Sequence, residues 1–298
     1  MKNQFNIVCT VDEQYVPHAS AMLCSLFSNT PEAAIDVYLL TEGITDASAK
    51  RLFKLCRRFG HRLLIKNLNV SSLQDARVSD HVTLATYYRV LIPSSIPAEV
   101  KTVLFLDSDL IVRRDISEFY NQSLENFTHA AVASPFSDDA RSRLGIPAGY
   151  RYFNAGVLLL NLELWRTENL SAKILDYIRS HSESLTWWDQ DALNAVLYGR
   201  WRCCSPKWNA GAGFFTTHRA AVLEVSESEY TEAAKNPCIV HFTGSYKPWM
   251  AGFEHPFKSE YYKYLKLAGG TVDNRPELNG IGIGDRLRRA MKICLGGV

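Results

Sequence analysis

The sequence predicts an α/β fold, a parallel sheet with helices on both faces, and three observations carry the prediction. Short runs of branched and aromatic residues alternate with segments whose apolar residues recur at helical spacing. One run, Thr102 to Leu106, is almost wholly apolar, as a strand covered on both faces must be. The chain has 298 residues, 47% hydrophobic and 21% charged, enough apolar material for one large domain of about 200 to 250 residues with an appendage, or for two ordinary domains.

Taken in order, Phe5 to Val11 reads as a strand. Tyr15 to Ser28 reads as a helix with Ala19, Met22, Leu23, Leu26 and Phe27 on its apolar stripe. The alternation repeats with a strand at Ile35 to Thr41, a helix at Ala47 to Phe59 and a strand at Leu63 to Leu68. Thr83 to Leu91 reads as a helix that Pro93 should end, and Thr102 to Leu106 as the buried strand. Further strands are expected at Ala130 to Ser134, Gly156 to Asn161 and Cys238 to Phe242, with helices at about 171–182 and 189–198. After about residue 270 glycines break regular structure. Asp285 to Cys294 then interleaves Arg286, Arg288, Arg289 and Lys292 with Leu287, Met291 and Ile293, a basic amphipathic helix or an ordinary solvated one. The chain therefore divides into a domain over 1–270 and a basic tail over 271–298.

Charge excludes some functions. The 33 Lys and Arg nearly balance 31 Asp and Glu, and the pI is about 8.1, so no whole-domain basic surface for nucleic acid is expected. The 7 cysteines are scattered with no Cys-x-x-Cys spacing, which fits a reducing compartment. No uninterrupted apolar stretch approaches the roughly 18 residues of a membrane span. The expected location is the cytoplasm, free or attached to the inner membrane surface.

Four constellations could carry chemistry. In Val103-Leu104-Phe105-Leu106-Asp107-Ser108-Asp109 an apolar strand emerges into two carboxylates at i and i+2, at the edge where open α/β sheets bind ligands. Such a pair either holds a hard cation or is loop acidity capping the next segment. In Ile239 to Trp249 a second apolar strand ends at His241, with Gly244 and Lys247 close behind, which suits a phosphate and metal site. If His241 joined the two aspartates, the mixed oxygen and nitrogen set would suit Mn2+ better than Mg2+. Trp187-Trp188-Asp189-Gln190-Asp191 places polar side chains beside two aromatics, either a sugar-binding wall or ordinary acidic capping of a helix. In Phe153-Asn154-Ala155-Gly156-Val157 a polar Asn precedes an apolar strand.

Together with Thr83 and Tyr87-Tyr88-Arg89, these segments resemble family 8 glycosyltransferases, the bacterial lipopolysaccharide galactosyl- and glucosyltransferase group. The similarity runs from about Phe5 to Trp249 in the family's order. The resemblance implies a GT-A fold, Rossmann-like with a mixed, mostly parallel sheet. It also implies a UDP-galactose or UDP-glucose donor, a glycan or glycolipid acceptor, retention of anomeric configuration, and Mn2+ as cofactor with Mg2+ as the alternative ion. By position, Asp107, Asp109 and His241 match the metal ligands, and Gly244 and Lys247 the diphosphate contacts. Thr10, Asp12, Gln14 and Tyr15 match the uridine and ribose segment. Arg89, Ser108, Asn154, Ala155, Asp189 and Gln190 match the donor pocket, with Gln190 nearest the reacting carbon and Asp191 a reserve nucleophile. Two rivals remain at this stage: a haloacid dehalogenase phosphatase with its nucleophile in Asp107-Ser108-Asp109, and a non-catalytic nucleotide-sugar-binding protein. On the resemblance reading the tail would give weak attachment to an anionic membrane surface.

Overall fold

The computed structural model describes residues 3–70, 84–135, 138–216 and 220–270. Nine strands are found among them: β1 (Asn3–Thr10), β2 (Ala33–Thr41), β3 (Arg62–Asn67), β4 (Thr102–Leu106), β5 (Leu110–Val112), β6 (His129–Val132), β7 (Val157–Asn161), β8 (Trp201–Cys204) and β9 (Ile239–His241). Seven form one sheet in the order β3-β2-β1-β4-β7-β6-β8, while β5 and β9 form a separate two-stranded sheet.

Side chains alternate across the sheet and feed two cores. Leu104, Leu106, Val157 and Leu159 enter one, with Met22, Leu23 and Leu26 of helix Val16–Asn29. Val103, Phe105, Leu158 and Leu160 enter the other, with Ile174 and Ile178 of helix Leu170–Ser180 and Leu193 and Leu197 of helix Trp188–Leu197. Helices therefore cover both faces, as expected.

The sheet is not uniformly parallel. β1 pairs in parallel with β2 and β4, and β2 with β3, but β7 runs antiparallel to both β4 and β6. The reversal matters for function. In the β4–β7 register Leu106 faces Val157, and the Asp107 N–H donates to the Gly156 carbonyl at 2.9 Å. The segment before β7 is thus laid beside the carboxyl end of β4, where the two aspartates emerge.

Two expectations change in detail. The helix over Thr83 to Leu91 is a 3-10 helix over Leu84–Leu91, and Pro93 does not end it: Pro93 sits in the first turn of helix Ile92–Ser95, where a missing N–H costs nothing. The strand at Cys238 to Phe242 shortens to β9 and pairs with β5 instead of joining the central sheet. The basic tail lies outside the described residues.

β5 is anchored from the other side. Ser25 Oγ accepts from the Val112 N–H at 2.9 Å, and Asn29 Nδ2 donates to the Val112 carbonyl at 3.0 Å. Two polar side chains of the most buried helix thereby satisfy the free edge of a three-residue strand.

Candidate active site

Pairing of β5 with β9 sets Leu110 opposite His241, and the Phe242 N–H donates to the Asp109 carbonyl at 3.0 Å. The strand that follows Asp107-Ser108-Asp109 therefore delivers His241 to the two carboxylates. His241 Nε2 lies 3.2 Å from Asp109 Oδ1 and 3.7 Å from Asp107 Oδ2. One ligand atom from each of the three residues lies within 4.8 Å of the others. Two oxygens and one imidazole nitrogen so close together form a donor set that fits a divalent cation. Gly156 backs this cradle without a Cβ, because one built there would stand 2.1 Å from His241 Cε1 and 2.6 Å from Asp107 Oδ2.

Electrostatics bind the site together. Lys247 Nζ donates to Asp109 and, at 2.9 Å, to the Phe242 carbonyl. Burial disfavours the Asp109 charge, but Lys247 and His241 outweigh it and hold the carboxyl far below its usual range. Arg89 is buried over the Phe105 ring. It pairs with Asp107 at 3.1 Å and with Asp189 at 2.7 Å, and it donates to the Ala155 carbonyl. Burial opposes the Arg89 charge, yet these carboxylates and Asp109 raise its pKa further. Asp189 is pushed up to about 7 by burial, against the pull of Arg89.

Helix Trp188–Leu197 docks on the segment before β7 through Asn194, which accepts from the Phe153 N–H at 2.7 Å and donates to the Phe153 carbonyl at 2.9 Å. One turn earlier, Gln190 Oε1 accepts from Asn154 Nδ2 at 3.1 Å and from the Ala155 N–H at 3.0 Å. Asp191 turns away from this pocket. Its Oδ1 accepts from the Tyr152 hydroxyl, and its Oδ2 from Arg143 and from the Thr186 and Trp187 N–H groups, all within 3.0 Å.

At the end of β1, Ser108 Oγ donates to the Thr10 carbonyl at 3.2 Å, and Asp12 Oδ1 accepts from the Tyr15 N–H at 3.0 Å. Tyr15 packs edge-on to His18 and Trp249, and burial, reinforced by Asp109, Asp12 and Asp107, pushes its hydroxyl up to about 12. Gln14 is exposed in the same turn. Gly244 is exposed too, with φ +89, a backbone conformation that favours glycine. The fold therefore gathers Asp107, Asp109, His241, Lys247, Arg89, Asp189, Asn154 and Gln190 into one connected cluster at the carboxyl ends of β1 and β4. Asn209 and Tyr152 also belong to it, joined to His241 and Gln190 respectively. No motif in the sequence gives either residue a role. The one signal for Asn209 is a polar side chain between Trp208 and Ala210, both buried.

Two carboxylates and an imidazole that fit a divalent cation, joined to a lysine and an amide-rich pocket at the carboxyl edge of this sheet, belong to a GT-A glycosyltransferase. The chain belongs to glycosyl transferase family 8, whose family model matches residues 6–252. It is 31% identical over 278 residues to General stress protein A of Bacillus subtilis, covering 92% of this chain and 97% of that one. It is 25% identical to the lipopolysaccharide 1,3-galactosyltransferase of Salmonella typhimurium, covering 89% and 78%. Among solved structures, galactosyltransferase LgtC in complex with donor and acceptor sugar analogs superposes with a TM-score of 0.77 at 22% identity, covering 95% of this chain and 100% of that one. As a family member, the chain is a retaining, metal-dependent hexosyltransferase that draws on a UDP-sugar. The phosphatase reading of Asp107-Ser108-Asp109 falls with that membership.

Proposed function

We propose that this enzyme moves galactose or glucose from its UDP-sugar to a cell-surface glycan of the lipopolysaccharide type, with Mn2+ as its metal. The carrying observation is the convergence of two carboxylates and one imidazole within 4.8 Å beside Lys247. A nitrogen donor among oxygens favours Mn2+ over Mg2+ or Ca2+. A galactosyltransferase of lipopolysaccharide stands among the relatives, which supports the substrate class.

A bound divalent cation supplies the charge that lets the UDP diphosphate depart without a general acid. Lys247 and the N–H groups around Gly244 grip the same diphosphate. Arg89 holds Asp107 and Asp189 in place, so that the cradle and the sugar pocket keep a fixed separation. Gln190 presents its amide to the anomeric region, where positive charge builds in the transition state. An amide is a poor nucleophile, so the acceptor hydroxyl attacks from the face the leaving group vacates. Asp191 has both oxygens engaged by donors, which fits a positioning role and not that of a reserve nucleophile. The test is turnover of a UDP-sugar panel with Mn2+: Asp109→Asn should lower it by about 100-fold or more, the scale expected when a charge-stabilising group is lost from a transition state. Undiminished turnover in excess chelator would remove the metal from the reaction.

Weak membrane attachment belongs to the same reading. No helix among the described residues is long and apolar enough to cross a membrane. In the tail, Arg286, Arg288, Arg289 and Lys292 against Asp285 give a local excess of +3. Each basic side chain at an anionic surface contributes about 1 kcal/mol, so attachment would be reversible and salt-sensitive. Sedimentation with anionic vesicles at low salt should be lost when residues 280–298 are removed, with the melting temperature unchanged. Equal sedimentation of both forms would rule out the tail as the anchor.

A further inference from the structure

We propose that Asn209 is a positioning residue that carries the polarity of an amide relay from the sugar pocket, where Gln190 sits, to the metal-binding histidine. The inference rests on the metal-dependent reading and adds a residue that no motif marks. Asn209 is only 4% exposed and is held rigidly: its N–H donates to the Pro206 carbonyl, while the next residue, Ala210, is bonded to Ile239 and His241 of β9. The relay runs His241, Asn209, Asn154, Gln190, with successive contacts of 2.9, 2.8 and 3.1 Å.

Two backbone groups give it direction. The Gly156 N–H donates to Asn154 Oδ1 at 3.0 Å, and the Ala155 N–H donates to Gln190 Oε1 at 3.0 Å. A backbone N–H can only donate, so both side chains must present oxygen at those points. Asn154 therefore turns its Nδ2 to Gln190, and Asn209 can meet Asn154 Oδ1 only with its own Nδ2. That leaves Asn209 Oδ1 facing His241 Nδ1, and an oxygen acceptor there requires Nδ1 to carry the ring proton. With a proton fixed on Nδ1, Nε2 beside Asp107 and Asp109 is the nitrogen left to bring a lone pair to a cation, the tautomer such an ion needs. A single amide thus selects the histidine tautomer on one side and supports the glutamine of the sugar pocket on the other.

Asn209→Asp and Asn209→Ala, made in the full-length enzyme, separate the two arms. Aspartate can still accept from His241 Nδ1 but cannot donate to Asn154; alanine does neither. Calorimetry with Mn2+ alone should find the Asn209→Asp affinity within about threefold of wild type, and Asn209→Ala weaker by about 10- to 100-fold, the usual scale for an outer partner of a ligand. With a UDP-sugar, both should lose about tenfold or more in kcat while KM for the donor changes little, because Gln190 acts mainly in the transition state. Wild-type Mn2+ affinity in Asn209→Ala, or equal weakening in both variants, would overturn the relay alone. Failure of the wild type to bind Mn2+ would overturn the metal reading and the inference with it. If Asn209→Ala does not fold, the near-isosteric Asn209→Asp decides, and an unchanged kcat there overturns the proposal.

Discussion

At Asp109 a lysine stands where a divalent cation would bring its charge. The Lys247 ammonium lies against the carboxylate, and it is also the group assigned to the donor diphosphate, so it cannot serve both partners at full strength. Without donor it competes with the cation for Asp109; with donor it has a second anion to hold. Lys247→Ala should therefore bind Mn2+ alone more tightly than wild type, yet bind UDP in the presence of Mn2+ about tenfold more weakly, the loss of one charge-assisted hydrogen bond. Titrating Mn2+ with and without UDP checks both signs, and a parallel fall in the two affinities would show Lys247 to be structural. Asp107, Asp109 and His241 stand out in the sequence because their chemistry is confined to few residue types and they lie at or just past the end of an apolar run, with Lys247 a few positions beyond the second. Asn209 does not, since an asparagine acquires its role here only from two backbone N–H groups more than fifty positions away.

Among the elements, legibility followed length and burial. The long helix Val16–Asn29 and strands β1, β2 and β4 carry enough residues for their periodicity to show. β5 has three residues, all buried, and no pattern can emerge from so few; its existence depends on β9, Ser25 and Asn29. The 3-10 helix Leu84–Leu91 shares its apolar spacing with an α-helix over so short a span, and only its hydrogen-bonding distinguishes the two. Strand direction was hidden as well, because a buried run reads alike either way. The reversal of β7 is supported by the segment that follows it: Arg166, just beyond β7, donates to the carbonyls of Pro93, Ile96, Pro97, Ala98 and Val100. One guanidinium thereby satisfies five carbonyls of the connection leading into β4.

For the whole molecule, the two cores on either face of the sheet also bury ionisable groups, and these set how stability varies with pH. His129 lies fully buried against Phe153 and Trp201, with Nδ1 on the Thr128 hydroxyl and Nε2 unpartnered, and burial lowers its pKa to about 3. Burial lowers His255 and His18 to about 4. Such histidines stay neutral in the fold while the unfolded chain takes up protons below about 6.5, so stability is present above that pH and is lost as pH falls toward 4. Asp189 acts in the opposite sense. Its carboxyl, raised to about 7, keeps its proton in the fold when the unfolded chain has released it, so its contribution grows as pH falls through 7. Among these four groups, three histidines against one carboxyl leave a net uptake of about two protons on unfolding between roughly pH 6 and 4.5, so stability falls as pH drops through that window. His129→Phe keeps an aromatic ring between Phe153 and Trp201 and removes one of those protons, so the slope should fall by about half. Urea unfolding at several pH values in chelator measures it. Identical slopes for the two proteins would mean that the buried His129 takes up no proton on unfolding and that acid lability arises from other groups.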